Sequence, residues 1–523
     1  LTGGYFSRKT NGVYSNGSCC GNDTASERSM VRKYIVDSVN YWADEYHIDG
    51  FRFDLVGLID IQTLNEVIST VQAKYPYVIF YGEGWAPDDT AVEYGNALAT
   101  QWNSGMVPGL GFFSDSFREA VLPNSTSTWG FATGSGDVAD AVARYMRAST
   151  DWCTSPSQII NYTSCHDNYC LTDKIILTRG EWNMGAMNRL AAATTLLSQG
   201  IPFIYSGDEM LREKKDSSGN RYHNGYGASD EVTKIYWSDL VNKANAQVTD
   251  DYYAGLIEFR KNHAALRTPV GGDAYNKTHY TKINNNCIML YVEGGFNYEC
   301  SSGIVILLNN SENTTWVDLN GKIPNGTWNA CIHGDKAGIE SLWTVDVSNS
   351  SGNVGVEPFS ATVLVLGDLE HEGSVYNTQA YNCDHKSHNE AGLCTSCGAA
   401  QDHTFVSGKC SVCGLSESAT DTYTIYYDNS TTKWSSVNAY TWTVAGSRTK
   451  EFTGTWPGNA MTLVDGTSNI YAIEVPVGVE NVIFSGSGNQ SKDLKAPAYS
   501  ATNNMFNGTT WVDYKTECDH SYT

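Results

Sequence analysis

Apolar and polar residues alternate along the first 270 positions with two periods, one typical of helices and one typical of buried strands. Between residues 27 and 46 the apolar positions recur close to every 3.6 residues, which predicts a helix with an apolar stripe formed by Met30, Tyr34, Ile35, Val39, Trp42 and Tyr46. Predicted strands and predicted helices alternate along this part of the chain. The predicted strands span 48–55, 77–83, 110–114, 159–166 and 201–206, and the predicted helices span 27–46, 61–74, 136–148, 187–198 and 251–262.

Three of the predicted strands end at acidic residues. Arg52 and Asp54 are two residues apart, so they point to the same face of a strand, and the cation favours the ionised carboxylate. Glu83 stands between two glycines, and Asp167 follows His166. Each motif alone is weak, because a Gly-Glu-Gly or His-Asp pair also occurs in turns. Three carboxylates at three strand ends are typical of a parallel α/β barrel, where chemistry collects at the C-terminal face.

The three motifs GFRFDL (50–55), GEGW (82–85) and HDN (166–168) resemble the acidic motifs of the α-amylase superfamily of glycoside hydrolases. The tryptophan at the end of GEGW, Trp85, resembles the form of this motif in type I pullulanases. Further resemblance lies in GNDTASER (21–28), SQGIPFIYSGDEML (198–211) and HNGYGASDEV (223–232). The resemblance implies that Asp54 is the nucleophile, Glu83 the general acid and base, and Asp167 the residue that stabilises the transition state. The substrate-contact positions that it implies are Arg52, His166, Asn168, Asn22, Asp23 and Trp85.

The implied activity is retaining hydrolysis of α-1,6 links in pullulan, starch or limit dextrins, with glycogen as a related partner. No catalytic cofactor is expected, and a role for calcium stays open. One alternative is an α-1,4-acting amylase, which shares all three acids. Another is a non-catalytic cell-surface glucan-binding protein, which the intact acids argue against. Cys165 and Thr172 depart from the pullulanase pattern and leave subsite details open.

By the same resemblance, the predicted strands correspond to strands 4–8 of a (β/α)8 TIM barrel within residues 1–270. The first three strands and the pullulanase motif YNWGYDP do not occur in this sequence. We therefore expect a fragment with a partial barrel that is catalytically inactive on its own. At the other end, Cys518-Asp519-His520 repeats Cys383-Asp384-His385, so residues 516–523 are interpreted as the start of a truncated repeat.

Residues 271–370 contain alternating strand-like runs, which predict an antiparallel β-sandwich that follows the barrel. Residues 371–418 form a small Cys-rich module or linker. Its two CxxC pairs predict a zinc-ribbon-like site, because two such turns present four thiolates to one tetrahedral ion. A disulfide-stapled spacer is the alternative. The predicted ligands are Cys394, Cys397, Cys410 and Cys413.

Residues 419–515 resemble a family 26 starch-binding module, a small β-sandwich. Tyr440 and Trp442 would share one face of a strand. Trp456 stands beside Pro457 in a predicted turn, where exposure is expected. These three rings form the predicted platform for an α-glucan, whereas Phe484 and Trp511 are predicted to lie in the core.

Composition agrees with an extracellular sugar-handling protein. Aromatic residues make up 12% of the chain, and their flat rings suit stacking on sugar rings. The net charge of −23 argues against nucleic acid or an anionic membrane as partner,. No apolar run approaches the roughly 18 residues of a membrane span. We expect a secreted or cell-surface protein, in which Cys19, Cys20, Cys165 and Cys170 form disulfides or remain buried thiols.

Overall fold

The computed structural model describes residues 5–85, 97–297, 299–348, 352–367, 369, 405–406, 409–411, 422–445, 448–454, 456–498, 501 and 503–514. The chain divides into two compact units, Leu1–Glu370 and His371–Thr523, which are treated separately. Cys394, Cys397, Cys413 and the repeat at 516–523 lie outside the described residues, and of Cys410 only the backbone is described. The zinc, disulfide and repeat interpretations therefore stay predictions.

A five-stranded parallel sheet forms the centre of the first unit. It follows a short hairpin of β1 (Lys9–Thr10) and β2 (Val13–Tyr14). Each strand of the sheet pairs with the next strand in the chain, as expected for consecutive strand-helix units,. The strands are β3 (Gly50–Phe53), β4 (Ile79–Gly82), β5 (Leu110–Phe113), β6 (Ile159–Asn161) and β7 (Ile201–Pro202). All five predicted strands are present, but each is shorter than predicted.

Helices connect the strands. They are α1 (Ser29–Tyr46), α2 (Ile61–Gln72), α3 (Asp115–Val121), α4 (Ala139–Met146), α5 (Leu171–Arg179), α6 (Met184–Leu196), α7 (Asp230–Thr233), α8 (Asp239–Asn242), α9 (Ala246–Asn262) and α10 (Gly271–Asn276). The sequence predicted α1, α2, α4, α6 and α9. It missed α5, whose first five residues are all buried regardless of polarity, so that no apolar period marks the helix,.

Helix α1 packs through a different face from the predicted one. Its buried residues are the smaller ones, Val31, Val36, Val39 and Ala43. Four residues of the predicted stripe are exposed instead, namely Met30, Tyr34, Trp42 and Tyr46. An ion pair of 3.1 Å between Arg32 and Asp60 holds α1 close to α2, whose N-terminus Asp60 caps,. Such a close approach favours small side chains between the helices.

The two faces of the sheet have different surroundings, because successive strand residues point in opposite directions. Phe112 and Ile159 point outwards and pack with the buried side of α2. Phe113, Ile160 and Tyr162 point inwards and pack together. Trp85, two residues after Glu83, packs against this inner cluster. The acidic residues at the strand ends therefore stand beside an aromatic interior.

An antiparallel β-domain follows, as predicted, although its first strand begins only after helix α10. Its main sheet has seven strands in the order β13-β12-β16-β10-β9-β8 with β14 paired to β12, and β11 pairs with β15. The strands are β8 (Thr278–Asn284), β9 (Cys287–Glu293), β10 (Gly303–Asn309), β11 (Thr315–Asp318), β12 (Gly326–His333), β13 (Lys336–Ala337), β14 (Trp343–Val347), β15 (Asn353–Val356) and β16 (Ser360–Leu366). One apolar core joins this sheet to α6 and α9.

The second unit contains two packed sheets, as predicted for residues 419–515, and a short hairpin before them. Their order is β23-β24-β19-β28-β29 and β21-β20-β25-β26, with β22 on β20 and β27 on β25. The strands are β17 (Phe405–Val406), β18 (Lys409–Cys410), β19 (Thr422–Asp428), β20 (Asn438–Ala445), β21 (Arg448–Glu451), β22 (Asn459–Ala460), β23 (Thr462–Leu463), β24 (Ile470–Pro476), β25 (Asn481–Gly486), β26 (Asn489–Gln490), β27 (Leu494–Lys495), β28 (Met505–Phe506) and β29 (Trp511–Val512). Phe484 is buried between the sheets, and Trp511 packs against that core. Of the helices that the structure describes, none combines the length and apolarity that a membrane crossing requires.

Candidate active site

Asp54 and Glu83 lie at the same edge of the parallel sheet. Phe53 in β3 is in register with Gly82 in β4, so the residues that follow these two strand ends are neighbours. The backbone N–H of Gly57 donates to the Glu83 carbonyl at 3.0 Å. This bond connects the turn after Asp54 to the turn after Glu83.

Arg52 connects the two carboxylates. Its Nη1 donates to Asp54 Oδ1 at 2.7 Å, as the spacing of the two residues predicted. Its Nη2 lies 2.8 Å from Glu83 Oε1. The second contact crosses from one strand to the next, so no spacing within the sequence indicates it. One guanidinium therefore holds both acids in a fixed relation.

The two acids differ in their environment. The Asp54 side chain is 72% exposed and that of Glu83 only 9%. Burial raises the pKa of the Glu83 carboxyl above its usual value, although Arg52 and a 3.2 Å hydrogen bond from the Leu55 N–H to Oε2 act in the opposite direction,. A carboxyl with a raised pKa retains its proton to higher pH, as a general acid requires.

His166 and Asp167 complete the acidic cluster. They follow β6 after a loop, because the strand ends at Asn161 and not at the predicted residue. His166 Nε2 lies 3.6 Å from Asp167 Oδ2. An oxygen of Asp54, an oxygen of Glu83 and a ring nitrogen of His166 lie within 4.8 Å of one another. That spacing would admit a metal ion, but the Arg52 guanidinium against both carboxylates opposes a second cation there.

A pocket of about 230 Å³ opens beside Glu83. Predicted site residues in its wall are Trp85, Asp167 and Asn168. The sequence interpretation missed four other wall residues, which are Phe113, Asp115, Arg118 and Tyr162. Cys165, which departs from the pullulanase pattern, also lies in the wall. Phe113 and Asp115 stand at the end of β5, so the strand-end rule that identified Glu83 also points to them.

Arg118 and Tyr162 form one side of this pocket. Arg118 Nη1 donates to the Tyr162 hydroxyl at 2.7 Å, and the guanidinium lies 5.5 Å from the ring centre. Burial is the largest effect on the Tyr162 hydroxyl and raises its pKa, so the group stays neutral,. Arg118 follows β5 and Tyr162 follows β6, so this pair also crosses between strands.

Asn22 and Asp23 do not lie in the wall of this pocket. Asp23 is buried, and its carboxylate accepts hydrogen bonds from the Ser15 hydroxyl at 2.5 Å and from the Gly17 N–H at 2.9 Å. These bonds connect Asp23 to the preceding segment of its own loop and fix the conformation of that loop. Asn22 is exposed and accepts from the Ser7 hydroxyl at 3.0 Å. The structure thus gives Asp23 a structural role where substrate contact was predicted.

The cysteines near the site are unpaired. Cys19 and Cys20 are exposed, Cys165 is half-buried and Cys170 is buried, and none of them forms a disulfide. Of the two alternatives, disulfides or buried thiols, Cys170 is a buried thiol and Cys165 a half-buried one. Cys19 and Cys20 are thiols that are exposed and not buried.

The three aromatic residues predicted for starch binding lie together in the second unit. Thr441 and Thr443 point into the sandwich, so Tyr440 and Trp442 point away from it,. Their ring centres are 5.2 Å apart, and the ring of Trp456 is 5.7 Å from Tyr440. Trp456 is 48% exposed. The backbone of β20 approaches the turn so closely that a Cβ on Gly458 would lie 2.1 Å from the Ala439 carbonyl oxygen.

The parallel sheet, the acids at its edge and the buried Glu83 form a candidate acid-base site at the C-terminal ends of the strands. The family model described as "Alpha amylase, catalytic domain" matches residues 18–293, and the chain belongs to this family. A second model, "Starch-binding module 26", matches residues 425–496.

Individual relatives include pullulanases. The chain is 39% identical over 286 residues to the pullulanase of Bacillus subtilis strain 168, covering 52% of this chain and 38% of that protein. Among solved structures, the pullulanase from Bacillus acidopullulyticus matches with a TM-score of 0.63 and 32% identity, covering 69% of this chain and 43% of that one. The Anoxybacillus sp. LM18-11 pullulanase complexed with maltotetraose matches with a TM-score of 0.60 and 32% identity, over 70% of this chain and 50% of that one. The chain therefore spans half or less of these relatives.

Proposed function

We propose that this chain carries the catalytic residues of a retaining, starch-debranching glycoside hydrolase that cleaves α-1,6-glucosidic bonds in pullulan, starch or limit dextrins. The similarity to pullulanases supports the substrate. The match of residues 425–496 to a starch-binding module agrees with it. The observation that carries the mechanism is the pair of Asp54 and Glu83 bridged by Arg52.

In this mechanism the exposed Asp54 carboxylate attacks the anomeric carbon, and the bond from that carbon to the leaving oxygen breaks. Glu83 donates its proton to the leaving oxygen. A covalent ester between sugar and Asp54 results. Glu83, now ionised, takes a proton from water, and this water hydrolyses the ester. Arg52 keeps the Asp54 carboxylate oriented, and Asp167 with His166 binds the sugar hydroxyls.

The spacing of the acids supports retention of the anomeric configuration. Carboxyl groups about 5–5.5 Å apart are typical of retaining enzymes, and those about 6.5–9.5 Å apart of inverting ones. One oxygen of Asp54 and one oxygen of Glu83 lie within 4.8 Å of each other. This short distance agrees better with the retaining range than with the inverting one.

The anomeric configuration of the first products tests this proposal. When the protein expressed from its natural gene is incubated with pullulan, proton NMR at early times should show α-configured reducing ends. Amylose should be cleaved far more slowly. An initial β-anomer would contradict retention, and cleavage of amylose without cleavage of pullulan would favour an α-1,4-acting amylase.

We also propose that the five-stranded sheet needs additional strands for activity. Strands β3 and β7 are its outer strands. Residues of α1 that face away from α2 include the exposed aromatic residues Tyr34, Trp42 and Tyr46. A closed barrel has eight strands, and its interior positions the catalytic groups. The 523-residue chain alone should therefore release no reducing sugar from pullulan at ordinary enzyme turnover, ~1 to 10³ per second.

A secreted or cell-surface location is part of this proposal, because starch and pullulan supplied from outside are polymers too large to cross a cell membrane. Fractionation of the source cells, with pullulan-cleaving activity and an antibody against this chain as markers, tests the location. Both markers confined to the cytoplasm would contradict it.

A further inference from the structure

Lys214 is a buried lysine that the mechanism above does not use. It is 1% exposed and lies after β7, in the segment that follows the SQGIPFIYSGDEML motif. Its ammonium donates to the carbonyl oxygens of His166, at 3.3 Å, and of Asn168. A third contact of 3.5 Å reaches the carbonyl oxygen of His223. An ammonium has three donor hydrogens, so these carbonyls match its capacity.

The backbone of Lys214 is fixed at both ends, which directs its side chain. Its N–H donates to Asp173 Oδ2 at 2.7 Å, and its carbonyl accepts from the Tyr222 N–H at 2.9 Å. Asp173 is itself buried and lies 3.0 Å from Arg221 Nε. The lysine therefore projects from a rigid support in α5 and in the loop around residue 221.

The turn that Lys214 binds is the turn that carries Asp167. Asn168 has a positive φ of 61° and donates its N–H to Asn224 Oδ1 at 2.9 Å. Its carbonyl accepts from Lys214. Both backbone groups of Asn168, and the carbonyl of His166, are thus held from outside the turn. Within the described residues, the one ion-pair contact of the Asp167 carboxylate is to the ring of its own neighbour His166, at 3.6 Å, so its position depends on the backbone of this turn.

Placing an ammonium here has an energetic cost. Burial lowers the pKa of Lys214 because the charged form loses its hydration,. A neutral apolar side chain of the same length would avoid that cost but would leave the part-buried carbonyls of the turn without this donor,. The charge-assisted hydrogen bonds to the turn offset part of the loss.

We propose that Lys214 is a positioning residue, which sets the place of Asp167 and His166 in the active site by holding the backbone of residues 166–168. The proposal rests on the function proposed above. Two segments would then support the turn that carries Asp167. The segment after β7 does so through Lys214, and the HNGYG segment does so through Asn224. A displacement of a catalytic group by about 1 Å can cost a factor of about 10² in rate.

The test compares three variants of the natural gene product. Lys214→Met keeps the length of the side chain and removes the charge, Lys214→Arg keeps the charge, and Lys215→Met is the matched control. Lys215 is adjacent and exposed, and it pairs with Glu213 at 2.9 Å. Circular dichroism and Tm check folding. The readouts are kcat and KM on pullulan, and hydrogen-deuterium exchange of the amides at 166–168.

For Lys214→Met we expect kcat to fall by about 10- to 100-fold with KM changed less than about threefold, and faster exchange at 166–168 with Tm near wild type. Lys214→Arg should recover part of kcat, and Lys215→Met should behave as wild type. Unchanged exchange, a rise in KM alone, or an equal loss in the control would overturn the proposal. If wild type does not cleave pullulan, the proposed function fails while the exchange measurement still decides the role of Lys214.

Discussion

At the residue scale, Arg52 places one guanidinium against two carboxylates that have different tasks. Asp54 is exposed and Glu83 is buried, so the same cation meets one acid in water and the other in a low-dielectric interior. Burial raises the pKa of the Glu83 carboxyl although Arg52 acts in the opposite direction,. The proposed proton donor is therefore distinguished from the proposed nucleophile by its burial.

Glu83→Gln should abolish most of the activity of the natural gene product. Glutamine keeps the shape but has no proton to transfer, and general acid-base catalysis typically contributes ~10²- to 10⁴-fold. The measurement is kcat on pullulan, with the exposed Glu66→Gln as control. A rate within about threefold of wild type would show that Glu83 is not the acid.

The same substitution should stabilise the fold at neutral pH. A carboxyl whose pKa is higher in the folded than in the unfolded chain contributes full stability only below its unfolded pKa, and that contribution is lost as the pH rises through the folded value. Burial raises the pKa of Glu83, so its ionised form destabilises the folded state at pH 7. We expect a higher Tm for Glu83→Gln than for wild type at pH 7 and a smaller difference near pH 4. An equal or lower Tm at pH 7 would contradict this linkage.

The sequence identified site residues that lie within one motif and missed those that depend on contacts between strands. Arg52 and Asp54 meet as their spacing predicted. The Arg52 contact to Glu83 and the support of Asp167 by Lys214 join residues 31 or more positions apart in the chain. Local periodicity contains no information on such pairs. Asp23 shows the converse, since its motif matched a family pattern while its oxygens serve its own loop.

At the scale of elements, the site depends on how tightly the turns after β3 and β4 fit together. A Cβ on Gly57 would lie 2.0 Å from the Trp85 carbonyl oxygen. Because Gly57 also binds the Glu83 carbonyl, any movement there is transmitted to the general acid. The glycine is required by this contact and not by its backbone angles.

Gly57→Ala should therefore reduce kcat on pullulan by about 10- to 100-fold, since the turn that carries Glu83 must shift. The matched control is Gly105→Ala, where a Cβ meets no atom within 4 Å. Steady-state kinetics and Tm of both variants provide the comparison. If the two variants have equal activity, the fit between these turns does not matter for catalysis.

Predicting elements succeeded where one face of a segment is buried and failed where burial is complete or where the largest residues are not the buried ones. Helix α2, which was predicted over 61–74, buries one apolar face. Helix α5 is buried around its first turns and leaves no period. In α1 the aromatic residues dominate the apolar pattern, yet the valines face the core. In this helix the largest apolar residues are not the buried ones, because close helix packing excludes large side chains.

At the scale of the whole molecule, the chain combines a unit that matches the α-amylase catalytic domain with a unit that contains a ring platform of Tyr440, Trp442 and Trp456. Trp442→Ala and Trp456→Ala should each weaken the retention of the chain on a starch column by roughly tenfold, because stacking area is lost while the sandwich core stays intact. Trp316→Ala is the control, since Trp316 is exposed but lies in the first unit. Unchanged retention of a folded double variant would exclude the platform.

For the Cys-rich segment we propose about one zinc ion per chain, held by Cys394, Cys397, Cys410 and Cys413 as four thiolates. Elemental analysis of the purified chain, combined with thiol titration after denaturation with a chelator, checks this. The chain has 14 cysteines in all, so zinc bound by the four predicted ligands leaves those four titratable as thiols once the metal is removed. Absence of zinc together with a thiol count lower by four, restored by a reductant, would establish disulfides among them instead.

The angles between the platform rings have a consequence for the shape of polymer that can lie on them. The rings of Tyr440 and Trp442 are inclined by 33°, and that of Trp456 stands at 77° to Tyr440. A flat, ribbon-like polysaccharide such as cellulose can touch only one of these planes at a time. A chain that coils, as amylose does, turns its sugar faces progressively and can follow the bend. We therefore expect the three rings to favour a coiled α-glucan over a flat polysaccharide ribbon.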